Sequence, residues 1–157
     1  MNTSSSFQKK IELSKSFRSP AHEASVAILR TASFLRNGLG RITREQGLSV
    51  PQFNILRILR GARGPLPTME VASRMVEIEP SITRLIVKLE KRGLVERQRD
   101  QTDGRSFLCK LTTDGSEVLD HLNEPFAQFE EDYLRCLNDD ELRTLSGVLA
   151  DICAIKA

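Results

Sequence analysis

Residues 76–113 read VEIEPSITRLIVKLEKRGLVERQRDQTDGRSFLCKLTT, and the order of chemistries along them decides the fold. Ile82, Leu85, Ile86 and Leu89 recur at helical spacing, so one stripe of a helix is apolar and faces a core. Ser81, Thr83, Arg84, Val87, Lys88 and Lys91 are left on other faces, several of them polar or basic. Gly93 supplies a C-terminal stop. LVERQRD and RSFLCKLT then read as two strands across DQTDG, with Phe107, Cys109 and Leu111 alternating against Leu108 and Lys110. Arg97, Arg99, Arg105 and Lys110 give this hairpin a basic edge. A helix with a buried stripe and a small basic outer face fits a DNA major groove while staying anchored to its domain. The pattern is that of a winged helix-turn-helix and predicts DNA binding.

Upstream, PTMEVASRMV reads as the first helix of the helix-turn-helix pair, and Pro80 suits the first turn of the second. In LSVPQFNILRILRGARG, Ser49 is a cap, Pro51 fits the first turn, and Gln52 completes a capping box. Phe53, Ile55, Leu56 and Leu59 form its buried face, and Gly61 and Gly64 end it. A further helix is expected from Ala21 to Thr43, with Ile28, Ala32, Leu35, Leu39 and Ile42 stepping by four and three. Gly38 and Gly40 each cost that helix roughly 1 kcal/mol relative to Ala, a loss that suits a close helix crossing. Residues 1–20, rich in Ser and Lys, read as a flexible arm with a short helix near Phe7–Phe17.

Downstream, Thr112 or Thr113 starts a long helix to about Leu137. Leu119, Leu122, Phe126, Phe129 and Tyr133 mark its apolar side, and Pro125 is a kink candidate. A last helix begins at Asn138 or Asp139, where Leu142, Leu145, Val148, Leu149 and Ile152 recur. The expected architecture is mainly α with a small β-hairpin wing. It divides into an arm (1–20), an N-terminal dimerisation helix (21–48), a winged helix-turn-helix domain (49–113) and C-terminal dimerisation helices (114–157). The long outer helices carry more apolar face than so small a winged domain covers, and a symmetric homodimer would bury it. Packing of the same helices within one monomer is the alternative.

The formal net charge of +2 hides an asymmetry. Residues 1–110 hold 20 Lys/Arg against 10 Asp/Glu, a net of +10, and residues 111–157 hold 3 against 11, a net of −8. One half suits a polyanion and the other stays away from it. Hydrophobic content of 39% and charged content of 28% are those of a soluble globular protein. No run approaches the roughly 18 apolar residues that cross a bilayer, and no apolar signal core opens the chain. A cytoplasmic location without membrane contact is therefore expected. Cys109, Cys136 and Cys153 match no metal spacing, and His22 and His121 form no recognisable cluster with them. The cysteines read as reduced thiols, Cys109 as a packed one, and no metal or cofactor is expected.

With these elements in order, the chain resembles the MarR family of bacterial transcription regulators, with the SlyA-like branch close by. LSVPQFNILRIL, SITRLIVKLEKRGLVERQ and DGRSFLCKLTTDGSEVL carry the likeness, which extends over about residues 24–155. The resemblance implies an obligate dimer on a palindromic double-stranded operator, repressing nearby genes and released by a small phenolic or aromatic acid or by an oxidant. It places Ser81, Thr83, Arg84 and Lys88 where the family's recognition helix meets bases and phosphates. Asp103 and Arg105 match the acidic and basic pair of its wing tip; Arg105 enters the minor groove in one reading, Asp103 holds it by a salt bridge in another, and both can hold in different copies or states. Gly104 stands where a first basic residue is common, so Arg99 is a further candidate for the groove. Glu79 reads as a cap for the recognition helix, with a contact to cytosine as the alternative. The implied effector pocket lies between the dimer helices and the winged domain, with His22, Arg30, Phe34 and Phe53 as candidate lining residues.

An enzyme is not expected: the chain has no Gly-rich phosphate loop, nucleophile elbow or HExxH. The competing function is a winged helix that binds only protein, since the fold alone does not imply DNA.

Overall fold

The structure is a computed structural model that describes residues 17–101 and 106–154. The expected arm and its short helix lie outside the described residues, apart from residues 17–20.

The first helix, α1, runs Pro20–Glu45. The Ser19 hydroxyl accepts from the His22 N–H, and Pro20 opens the helix with the φ that proline already holds. Gly38 is buried, because the ring of Phe129 lies where a Cβ would stand. The glycine thus serves a close crossing rather than a break.

Helix α2 spans Val50–Arg60 and has the complete capping box expected of it. Ser49 Oγ accepts from the Gln52 N–H at 3.4 Å, and Gln52 Oε1 accepts from the Ser49 N–H at 3.0 Å. Strand β1 (Leu66–Pro67) leads into α3 (Thr68–Ser73). α3 stops short of Val76, the expected end, in tight bonds from Arg74 N to Val71 and Met75 N to Ala72. Recognition-helix candidate α4 covers Ile82–Lys91. Pro80 sits one residue ahead of the Ser81 cap, not inside the helix, because the first α-helical bond runs from Leu85 N to Ser81 O.

Strands β2 (Val95–Arg99) and β3 (Phe107–Leu111) pair antiparallel, with Val95 opposite Leu111 and Arg99 opposite Phe107. β1 adds to the other edge of β3, so the sheet order is β1-β3-β2. Helix α5 (Thr113–Leu134) starts at a Thr112 cap and contains Pro125. Helix α6 (Asp139–Ala154) starts with Asn138 Oδ1 accepting from the N–H groups of Asp140 and Glu141.

One core joins these elements. Ile55, Leu56 and Leu59 of α2, Ile86 and Leu89 of α4, Val95 and Cys109 of the sheet, and Leu119, Leu122 and Phe126 of α5 are all buried in it. Fully burying a side chain of the Leu or Ile size contributes about 1.5–3 kcal/mol. The outer helices are covered unevenly. The C-terminal half of α1 packs on this core through Leu39 and Ile42, while Ile28, Leu29 and Phe34 stay exposed. α6 has no buried residue, and Leu145, Val148 and Ile152 are about half exposed. Among the described residues no helix is long and apolar enough to cross a membrane.

Candidate nucleic-acid interface and the cavity beside it

Helix α4 is divided lengthwise. Ile82, Ile86 and Leu89 are buried, while Thr83, Arg84 and Lys88 are exposed on the outer face and Ser81 is half-buried at its start. Arg84 and Lys88, four residues apart, share one side of the helix. Among the described residues neither pairs with a carboxylate. The start of the helix is capped from outside. Glu79 Oε1 accepts from the Ser81 N–H at 3.1 Å, the capping role expected of it. Ser81 makes no side-chain cap bond of its own.

The other basic residues of this unit divide between surface and scaffold. Arg92 is a staple, donating to the carbonyls of Gly47 at 2.7 Å and Gln46 at 2.9 Å, which ties the end of α1 to the end of α4. Gly47 has φ +64° and Gly93 has φ +74°, the left-handed geometry that glycine adopts at helix ends. Arg97 does not contribute to the basic edge expected of the hairpin. It turns inward, donates to Glu90 Oε2 at 3.1 Å and lies 4.2 Å from the ring centre of Phe107. Arg99 is exposed at the far end of β2. Asp103 and Arg105, the wing-tip pair, lie outside the described residues.

Cys109 is fully buried in β3, with its Sγ 3.6 Å from the Thr68 hydroxyl. Burial pushes its thiol above the ordinary value of 9.0, against the smaller lowering effect of that hydroxyl. Cys136 and Cys153 are exposed and unbridged.

Behind α4, a cavity of about 490 Å³ opens between α1, α2, α5 and the turn ahead of the recognition helix. Leu35, Leu39, Val50, Pro51, Phe53 and Phe126 supply apolar wall. Phe53 stacks on Phe126 with ring centres 4.4 Å apart. Arg36, Arg57, Arg60, Glu77, Glu79 and Glu130 supply charge. Of the four sequence-stated candidates, only Phe53 lines this cavity. His22 is at the N-terminal end of α1, edge-on to Phe17 at 5.5 Å, and Arg30 lies 5.7 Å from the ring of Phe34 farther along the same helix. The arginines of α2 carry no local signal of this role: Arg57 and Arg60 lie outside the apolar stripe that marks that helix, and Arg60 reaches Asp120 and Asn123 of α5.

A sequence model of the MarR family matches residues 48–107, from just before α2 to the start of β3. A MarR transcription factor of known structure from Planctomyces limnophilus is 35% identical, covers 85% of this chain and 98% of its own, and superposes with a TM-score of 0.67. The chain belongs to the MarR family. Two more distant proteins are also similar to this chain. A mutant MarR from E. coli, solved in complex with operator DNA, is 23% identical, covers 95% of this chain and 99% of its own, and has a TM-score of 0.73. The homoprotocatechuate degradative operon repressor of Escherichia coli is 25% identical over 135 residues, 83% of this chain and 88% of that protein. This MarR-family protein is a transcription regulator with a winged helix-turn-helix, as its sequence predicts.

Proposed function

We propose that this regulator binds a palindromic operator as a homodimer and represses adjacent genes until a small aromatic acid releases it. The observation that carries the DNA-binding reading is the outer face of α4. Ser81, Thr83, Arg84 and Lys88 are accessible there, and the opposite face is locked into the core by Ile82, Ile86 and Leu89. A helix so anchored presents donors to base edges without losing its own packing. Arg84 is assigned to guanine and Lys88 to phosphate, while Arg99, Asp103 and Arg105 belong to the wing contact.

Dimerisation through α1, α5 and α6 is supported by the apolar side chains that one chain leaves uncovered: Ile28, Leu29 and Phe34 on α1, and Leu145, Val148 and Ile152 on α6. An isologous pairing would cover both sets and place two recognition helices about one helical turn apart, roughly 34 Å. The repressor reading is supported by the operon repressor among its relatives. The effector reading rests on the cavity, whose apolar wall and arginines suit a ring bearing a carboxylate. Gel-shift and reporter assays on the chain's own upstream region, with and without aromatic acids, test all three parts. Binding to a palindrome by a dimer, with acid-dependent release, is expected; binding only as a monomer, or activation of the reporter, overturns the corresponding part.

A further inference from the structure

We infer that Arg92 and Thr112 are positioning residues for operator recognition: they bolt the end of α4 to α1 and α5, and so set the half-site spacing that the dimer accepts. This rests on the homodimer reading given above. Arg92 closes the C-terminal end of α4, and its guanidinium reaches 45 residues back along the chain. Nη1 donates to the Gly47 carbonyl at 2.7 Å and Nη2 to the Gln46 carbonyl at 2.9 Å. Those carbonyls stand at the end of α1, the negative end of its dipole, where a cation is favoured.

The next two residues bond to α5. The Thr112 hydroxyl donates to the Gly93 carbonyl at 2.7 Å and accepts from the Gly115 N–H at 3.0 Å, so one hydroxyl grips the end of α4 and caps α5. The Thr112 N–H donates to the Leu94 carbonyl at 3.3 Å. Gly115 brings α5 so close to that carbonyl that a Cβ would collide with it. Three consecutive residues, Arg92, Gly93 and Leu94, therefore hold α4 to both α1 and α5, the long helices assigned to the dimer interface. Elsewhere α4 is held by Ile82, Ile86 and Leu89 in the core. Apolar burial has no direction, whereas a hydrogen bond weakens steeply off its line, so this node is what fixes the angle of α4.

The node sits at one end of a lever. α4 has 10 residues, and a helix of that length is about 15 Å long, so a tilt of about 13° at the node moves its first turn by about 3.4 Å, one base-pair step. Ser81, Thr83 and Arg84, the residues assigned to the groove, stand at that moving end. Loosening the node thus changes where the two recognition helices fall relative to each other, not which base each side chain prefers. The arginine fork satisfies two successive carbonyls at once, while a lysine keeps the charge and a single point of contact.

The test uses a palindromic operator selected by the full chain from randomised duplex, then rebuilt with its half-sites one base pair closer or farther apart. Anisotropy is expected to show wild type binding the selected spacing at least about tenfold tighter than either altered one, since the DNA must bend or twist to absorb the mismatch. Arg92→Met and Thr112→Val are expected to narrow that gap to about threefold, because the freed joint absorbs the mismatch instead. Arg92→Lys recovers part of the gap, and Thr112→Ser, which keeps the hydroxyl, recovers all of it. Base preference within one half-site stays as in wild type, a readout that a general loss of structure would move. Arg92 is exposed, so Arg92→Met leaves the core intact, and helix content and sedimentation show each variant folded and dimeric. A gap as wide in Arg92→Met as in wild type overturns the inference and leaves the dimer reading standing. So does an equal loss at every spacing with a salt slope lower by about one, which would make Arg92 a phosphate contact. A wild-type chain that sediments as a monomer and selects no palindrome overturns the dimer reading, and this inference with it.

Discussion

Arg97 of β2 and Glu90 of α4 are joined at 3.1 Å, so the recognition helix and the first strand of the wing are one mechanical unit. The arginine side chain is 13% exposed and its guanidinium lies over the Phe107 ring. Arg97→Ala removes packing as well as charge and leaves Glu90 unpaired beside the sheet. A loss of about 1–2 kcal/mol is expected, seen as a lower urea midpoint at unchanged slope. An unchanged midpoint would mean that the pair holds nothing.

Arg84 and Lys88 are expected to fail differently when each is replaced by Ala. Loss of Arg84 weakens operator binding and relaxes base preference by about 1–3 kcal/mol. Loss of Lys88 weakens operator and scrambled duplex alike and lowers the salt slope by about one. Anisotropy titrations at several salt concentrations separate the two, and wild-type affinity in either variant contradicts its assignment.

Gly115 packs against the main chain of Leu94, where any Cβ would meet the Leu94 carbonyl oxygen. Backbone is slow to give way, so Gly115→Ala destabilises by about 1–3 kcal/mol despite alanine's higher helix propensity. Thermal unfolding checks this, and a stabilised variant would show that the crossing is loose.

Cys109 is expected to resist alkylation in the folded protein at neutral pH while Cys136 and Cys153 react, giving two labels by mass spectrometry. Its thiol loses its proton less readily when folded than when unfolded. The stability this provides is present below the unfolded value of 9.0 and is lost as pH rises through the higher folded value. Three labels on the native chain would contradict its burial.

Val148→Asp places a charge on the uncovered face of α6 and is expected to convert a dimer to a monomer in sedimentation, with operator affinity falling in step. A mutant that remains dimeric moves the interface elsewhere.

The sequence was legible where a local period carries the signal. The apolar stripe of α4, the Ser49–Gln52 capping box and the alternation of β3 each follow from spacing within one turn or one strand. It was illegible where the partner is distant. Strand β1 is two residues long and ends in proline, so it has no period of its own; it exists because Leu66 pairs with Cys109. Arg97 read as a surface cation, although Val95 two residues earlier points inward, because only the fold shows that Glu90 and Phe107 wait on that side. The cavity arginines stayed hidden for the same reason. Arg36, Arg57 and Glu77 come from α1, α2 and the turn before α4, and no spacing links them.

The most direct test of the central claim is anisotropy binding of the purified chain to a palindromic duplex from its own upstream region, against a scrambled duplex, across a salt series. The account predicts tight, palindrome-selective binding that falls steeply as salt rises. Equal and weak binding to both duplexes at every salt concentration would contradict it.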